Sequence, residues 1–545
     1  MLFRHTIAAL WYQPEHYSAK PHPVIPPLSH FYRLSRAGFV FARQGVFGLV
    51  DPRPLPATAR TALRLARLIE RPTVASGANR LSAALSALGP SYVKLGQFLA
   101  TRPDVVGAAL AADLESLQDK MPPFPQAEAE AEVEKALGVP LKTMFVSFGP
   151  PVAAASIAQV HQAEIETPEG RRRVAVKVLR PGVEDGLKVD IDAFRFVARQ
   201  AERFSAEARR LRLTEVIATL ARSVAIELDM RLEAAAASEM AENTKDDPDF
   251  RVPAINWDRT AREVLTMEWI DGTPLSDRAA LIARGLDLPQ LGQKLIQNFL
   301  RHAVRDGFFH ADMHPGNLFV DMEGRLVAVD FGIMGRLSVK ERRFLAEILY
   351  GFIMRDYHRT AEVHFEAGYV PEHHSVDAFA QAIRAIGEPI HNRRAEEISM
   401  ARLLTLLFEV TALFDMRTRP ELLLLQKTMV VAEGVGRMLD PQLNIWVTSE
   451  PVVREWLTQN LGPAGLLQDA RLGAGELSKF LATVPTLLTR AARLTEQIEH
   501  STREGIVLAA DSVSELGKTQ ATYNIGSVIA LWVIVILLAF LVFWK

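Results

Sequence analysis

Two spacings of apolar residues alternate along this chain, and each switch between them marks a change of structure. From Ala57 to Gln118, Ala, Leu and Arg recur with a period near 3.6, which predicts helix. Met121–Pro125 (MPPFP) interrupts the pattern, because proline lacks a backbone donor and clashes with the preceding turn. Helical spacing returns from Gln126 to Leu137. The period then drops to two. In Arg171–Pro181 (RRRVAVKVLRP), Val174, Val176 and Val178 share one face while Ala175, Lys177 and Leu179 share the other, so a strand is expected. Thr214–Asn243 reads as one long helix, and Arg262–Gly272 as a strand ending in a turn. Beyond Pro289 the pattern is mostly helical, interrupted by His310–Gly335.

The two ends differ. The apolar run in MLFRHTIAALWYQPEH is short and no small-residue cleavage site follows it, so no secretory signal is expected. Pro21–Pro27 (PHPVIPP) excludes a helix interior and predicts an irregular arm. At the other end Ile525–Trp544 carries no charge, and a helix of that length rises about 30 Å, the thickness of a bilayer core. A single transmembrane helix is expected there, with Trp544 and Lys545 at the interface.

Composition narrows the function. The 545 residues are 49% hydrophobic, enough for a large core and too many for a disordered chain. The 62 basic and 64 acidic side chains leave a formal net charge of −2, so no nucleic-acid partner is expected. The absence of cysteine excludes disulfides, thiolate metal sites and a cysteine nucleophile.

The chemistry concentrates in Phe308–Gly332 (FFHADMHPGNLFVDMEGRLVAVDFG). Asp312 and Asn317 stand five positions apart, the spacing of a kinase catalytic loop, and Asp330 opens a DFG triplet. Phosphoryl transfer builds charge on oxygen, so carboxylates must hold Mg²⁺ against the phosphates and another must sit where the nucleophile arrives. A short loop followed by a hairpin would bring Asp312, Asn317 and Asp330 around one point. Lys177 in VAVK suits the lysine that meets the ATP phosphates, although a strand lysine also serves as an edge gatekeeper. Its carboxylate partner is open among Glu227, Asp229 and Glu233: on one helix Asp229 and Glu233 share a face, and Glu227 points about 120° away from Glu233. Where a glycine-rich phosphate loop is expected, the chain has Ala153, Ala154, Ala155 and Ser156. Alanine resists positive φ, so the loop should be stiffer than in ordinary kinases.

Taken together, SYVKLGQFLATRPD, PVAAASIAQVH, VAVKVLRP, ELDMRLEA, FFHADMHPGNLF and LLLLQKTMVVAEGVGRMLDPQLNIW resemble the UbiB family of atypical protein-kinase-like proteins, from about Leu81 to about Trp456. The resemblance implies an α+β, two-lobed kinase-like fold with added N-terminal helices, a helical C-lobe and the C-terminal transmembrane helix. The implied divisions are an irregular arm (1–55), a helical extension (56–122), an N-lobe (123–268), a C-lobe (269–460), a helical connector (461–524) and the span (525–544). Lys94 and Gln97 match the family's KxGQ motif, expected over the site where a protein substrate would dock, and Glu227 and Asp229 match the ExD pair that faces it. That assignment leaves Glu233 for Lys177. Glu268 and Ile270 occupy the adenine hinge, Ala153–Ser156 the alanine-rich loop, Asp312 the catalytic-carboxylate position, and Asn317 and Asp330 the metal positions.

The resemblance also implies ATP and Mg²⁺ as cofactors and a role in ubiquinone biosynthesis, acting on lipid quinone intermediates or organising biosynthetic enzymes. A homodimer through the span is a further expectation. The kinase-like body is expected on the cytoplasmic side of the inner membrane, where Mg–ATP is plentiful. Ala311 replaces the arginine before the catalytic carboxylate, His314 stands where many kinases carry lysine, and no APE motif follows Gly332. The usual peptide-substrate platform is therefore not expected. Two other readings share the loop motifs: a small-molecule phosphotransferase of the choline- or aminoglycoside-kinase sort, and a nucleotide-sensing, lipid-binding scaffold without turnover.

Overall fold

Helix begins directly after Pro27, where the run PHPVIPP ends. In the computed structural model, which describes residues 28–49, 64–70 and 80–461 with short gaps and a longer one at 392–409, α1 runs Leu28–Arg43. The arm is therefore not irregular throughout: α1 buries Ala37 and Ala42, and Phe41 meets the Tyr92 ring edge-on at 6.5 Å. The described residues of 1–92 and 185–219 form one unit. Tyr92 also packs edge-on against Phe194 at 5.1 Å, and Arg33 Nη1 donates to Asp190 Oδ1 at 2.7 Å. The helical stretch expected from Ala57 is likewise broken. Helix α2 (Arg80–Leu88) stops at Gly89, whose φ is +107°, and α3 (Pro90–Ala100) restarts with a proline at its first turn.

The described residues of 93–184 and 220–461 form a second unit, which holds the kinase-like elements. Helix α4 (Gln126–Leu137) follows Pro125 and ends at left-handed Gly138. It lies on an antiparallel sheet ordered β1 (Ser147–Ala154), β2 (Ala158–Thr167), β3 (Gly170–Leu179) and β5 (Val264–Glu268). Val174, Val176 and Val178 are buried against Ala129, Val133, Phe145 and Ile165, and each buried valine contributes about 1.5–3 kcal/mol. Lys177 pairs with Val160 on one side and Leu265 on the other, so its side chain leaves the face opposite the valines.

After α5 (Val183–Phe204), the single helix expected over Thr214–Asn243 is two: α6 (Leu213–Glu227) and α7 (Met230–Asn243). The apolar spacing runs on across the joint, but Asp229 has extended φ/ψ and its carboxylate accepts from the Arg231 N–H at 3.1 Å. Aspartate at this position caps a new helix rather than continuing an old one.

Later in the chain, α8 (Leu288–Arg301) is capped by Asp287 and buries Leu291, Leu295, Ile296, Phe299 and Leu300. It passes into a π-helical turn, His302–Asp306, that ends at left-handed Gly307. Strands β7 (Phe308–His310) and β10 (Met334–Arg336) pair with each other. Between them β8 (Leu318–Asp321) and β9 (Leu326–Ala328) form a hairpin, flanked by β6 (Gly272–Pro274) and β4 (Phe250–Arg251). Helix α9 (Val339–Met354) then starts at once through a Ser338/Glu341 capping box. The longer helices that follow are α10 (Tyr357–Glu366), α11 (Val376–His391), α12 (Pro420–Leu439) and α13 (Ile445–Leu461). No helix among the described residues is long and apolar enough to cross a membrane, and the expected span Ile525–Trp544 lies outside them.

Candidate functional site

One lysine gathers the site. Lys177 Nζ lies 2.8 and 3.0 Å from the two Glu233 oxygens and 3.2 Å from Asp330 Oδ2. These residues come from β3, from α7 and from the DFG segment, so three distant stretches converge on one ammonium. Burial opposes the Lys177 charge, but the Asp330 and Glu233 carboxylates outweigh it and raise its pKa. Glu233 moves upward, because burial and the Asp330 charge exceed the help of Lys177. Asp330 moves the other way: burial raises it, while Lys177, the Gly332 N–H and His310 together hold it down to about 2. One cation thus faces two carboxylates, a set with negative charge to spare.

The β7–β8 loop supplies the rest. Met313 is buried and pins the loop, which leaves Asp312 exposed beside it. Asn317 Nδ2 donates to Asp312 Oδ2 at 2.9 Å, so the five-residue spacing folds the amide onto the carboxylate. His310 holds the base of the loop: its Nδ1 accepts from the Asp312 N–H at 3.1 Å and its Nε2 meets the Asp330 carbonyl. Pairing of Met334 with His310 closes the circuit and sets Asp330 beside the loop.

The alanine loop is a tight turn without positive φ at Ala153, Ala154, Ala155 or Ser156. Two residues that motif spacing misses hold it. Arg180 donates to the Ala155 carbonyl through Nε (3.1 Å) and Nη2 (2.9 Å), and to the Pro122 carbonyl at 2.8 Å. Gln159, fully buried, accepts from the Phe124 N–H at 2.9 Å and donates to its carbonyl at 3.3 Å. The charge-assisted Arg180 bonds contribute about 1.5–3 kcal/mol each and the neutral Gln159 bonds about 0.5–1.5, so the turn is fastened to the segment before α4. The available signals are a charged residue closing an apolar strand and an amide between buried strand positions. Thr428 on α12 is another residue that spacing misses: its hydroxyl lies 3.1 Å from the Ala311 carbonyl, under the Asp312 loop.

Lys94 Nζ pairs with Glu227 Oε2 at 2.5 Å, which joins α3 to the end of α6. Gln97 follows one turn along α3, half-buried. Asp229 departs from the expected pairing with the KxGQ helix. Its carboxylate takes the Arg231 guanidinium at 2.9 and 2.7 Å, because it sits in the joint between α6 and α7 rather than on a helix face. At the hinge, the Glu268 N–H donates to the Ala254 carbonyl at 2.8 Å and its carboxylate takes Arg251 at 2.7 Å. Of that residue the carbonyl, not the N–H, suits an adenine. Ile270 lies in the following connection to β6, half-buried.

The donor set fits Mg²⁺. Asp330 offers carboxylate oxygens, and Asn317, with Nδ2 committed to Asp312, offers an amide oxygen. Hard oxygen donors from only a few side chains are what Mg²⁺ takes when phosphates complete its shell.

Comparison with known proteins finds two family models along the chain. Residues 116–364 match the ABC1 atypical kinase-like domain, and residues 383–444 match the UbiB helical domain. The probable protein kinase UbiB of Marinobacter nauticus is 39% identical over 448 residues, covering 81% of each chain. Among solved structures, the Rv3197–erythromycin complex from Mycobacterium tuberculosis is similar at 26% identity and a TM-score of 0.46, covering 75% of this chain and 99% of that one.

Proposed function

This chain belongs to the ABC1/UbiB family of atypical kinase-like proteins, and from that premise we propose that it is a membrane-anchored ATPase supporting ubiquinone biosynthesis. The observation that carries the reading is the convergence of Lys177, Glu233 and Asp330 beside the Asp312–Asn317 pair. In it, Lys177 binds phosphate oxygens and Glu233 keeps its ammonium in place. The Asp312 carboxylate takes the proton of the attacking water, and Asn317 orients it. Asn317 and Asp330 would hold Mg²⁺, which supplies charge neutralisation on the phosphates when bound. Ala153–Ser156 cover the phosphates, and the Glu268 and Ile270 backbone receives adenine. Lys94 and Gln97 sit on the helix that stands where a peptide would dock. Turnover serves to extract, present or organise lipid quinone intermediates rather than to phosphorylate proteins. The partners are membrane lipid, those intermediates and the biosynthetic enzymes, with a second copy of the chain as a further one. Ile525–Trp544 anchors the body on the cytoplasmic face of the inner membrane.

Two measurements test this. Calorimetry on the detergent-solubilised chain should give Mg²⁺-dependent binding of adenine nucleotides, lost in Asp330→Asn. In a deletion strain, wild type should restore quinone levels while Asp312→Asn, which lowers turnover by ~10²–10⁴, should not. Nucleotide affinity indifferent to Mg²⁺ and to Asp330→Asn would overturn the site. Full restoration by Asp312→Asn would overturn the role of turnover.

A further inference from the structure

Outside the kinase-like cleft, two histidines adjacent in sequence meet an aspartate from a later segment. His373 and His374 lie in the connection between α10 and α11, and Asp415 follows Phe414. Asp415 Oδ2 is 3.4 Å from His374 Nε2 and 3.8 Å from His373 Nε2, and the two imidazole centroids are 4.1 Å apart. One ligand atom from each side chain falls within 4.8 Å of the others.

These spacings are long for hydrogen bonds, whose N–H···O distances run about 2.7–3.2 Å. The shorter one matches the edge of a coordination tetrahedron, and the longer exceeds it by about 0.4 Å, which a small turn of the exposed His373 ring would close. With metal–ligand bonds of about 2.0–2.1 Å, neighbouring ligand atoms stand about 3.3–3.4 Å apart, against about 2.9 Å in an octahedron. The donors also select. Two imidazoles and one carboxylate suit Zn²⁺ and its first-row neighbours, whereas Mg²⁺ and Ca²⁺ prefer all-oxygen shells.

The site is held from beneath. Phe414 is buried with Tyr357 and Phe379, and the His374 ring leans on it at 5.2 Å. The His374 N–H donates to the Pro371 carbonyl at 3.2 Å. Asp415 has φ +47°, a conformation that aspartate tolerates better than most side chains. His373 and Asp415 are exposed, so the fourth tetrahedral position faces water.

We propose that His373, His374 and Asp415 form a binding site for a Zn²⁺-class transition-metal dication, with three protein ligands and one water. The ion fastens the α10–α11 connection to the segment that carries Asp415, and so closes a long loop of the helical region.

The test uses the detergent-solubilised full chain in excess Mg²⁺, which occupies oxygen-donor sites. Zn²⁺ is titrated in competition with a chromophoric chelator, and Co²⁺ serves as a spectroscopic probe. One equivalent of Zn²⁺ should bind, and Co²⁺ should give the intense visible bands of a four-coordinate ion. Affinity should fall at least tenfold in His374→Ala, in His373→Asn and in Asp415→Asn, and stay unchanged in Asp330→Asn. His373→Asn alters only an exposed side chain, so a loss there does not reflect misfolding. Absence of stoichiometric Zn²⁺ binding in excess Mg²⁺ overturns the proposal. So does binding that survives all three substitutions, or that disappears in Asp330→Asn.

Discussion

Replacing Lys177 by methionine keeps the length of the stem and removes the ammonium. The Glu233 and Asp330 carboxylates, each within 3.2 Å of that nitrogen, are then left facing one another across no more than about 6 Å. At an effective dielectric of ~20, two unit charges at that separation repel by roughly 3 kcal/mol. Glu233 is only 8% exposed, so its charge has little water to turn to. Breaking a buried ion pair from one side costs about 3–5 kcal/mol, and the repulsion estimate falls in that range. For a unit of this size the unfolding midpoint should drop by roughly 4–7 °C. Thermal unfolding of the solubilised chain at neutral pH, without nucleotide, reads this directly. The double variant Lys177→Met/Glu233→Leu replaces the pair by apolar groups and should recover at least half of the lost stability, while nucleotide binding stays lost. A Lys177→Met midpoint equal to wild type would refute the shared-cation geometry. Failure of the double variant to recover would assign the loss to packing of the lysine stem instead.

Three further perturbations probe the frame around the site. Asp229→Ala removes the cap of α7 and should cost about 0.5–2 kcal/mol, with Asp229→Ser recovering most of it; denaturant titration of the set decides. Gly335→Ala places a Cβ 2.1–2.5 Å from the Phe309 ring, which is fully buried, so stability should fall by about 1–3 kcal/mol. On the proposed function turnover should fall with it, because the β7–β10 pairing supports the Asp312 loop; an unchanged midpoint would exclude the clash. Asp247→Asn tests a buried network: burial raises the Asp247 carboxyl, but bonds from His302 (3.1 Å) and Arg305 (2.6 Å) hold it well below its ordinary 3.8. A depressed folded pKa contributes stability above the ordinary value and loses it as pH falls further. The wild-type advantage over Asp247→Asn should therefore be flat from neutrality to mildly acidic pH and shrink below about pH 4.

Where one kind of order dominated, the sequence was easy to read. The valines of β3 alternate because one face meets α4 and the other meets the charged site, and that pattern needs no tertiary knowledge. The loop from Asp312 to Asn317 is equally local: five residues suffice to bring amide to carboxylate. Arg180 and Thr428 were not legible in this way, because both act on backbone carbonyls, and a carbonyl carries no side-chain signature. The register of β10 against β7 was hidden for the same reason, since Gly335 opposite Phe309 is a fit of shape rather than of pattern.

The joint at Leu228–Asp229 is where pattern and structure part company, and it decides how the charges are distributed. On one continuous helix Glu227 and Glu233 would stand about 9 Å apart on a single rod, about 120° apart in direction. The cap at Asp229 ends that constraint. Glu227 closes α6 and takes Lys94, while Glu233 opens α7 and takes Lys177, so two lysines are met by carboxylates on separately oriented helices. Apolar spacing carries on through the break because both helices bury the same kind of face, and so it cannot report the joint. The aspartate can: its short carboxylate satisfies a backbone N–H that a continuous helix would already have used. The ExD spacing therefore describes two residues with separate duties, one binding a neighbouring helix and one starting the helix that holds the Lys177 partner.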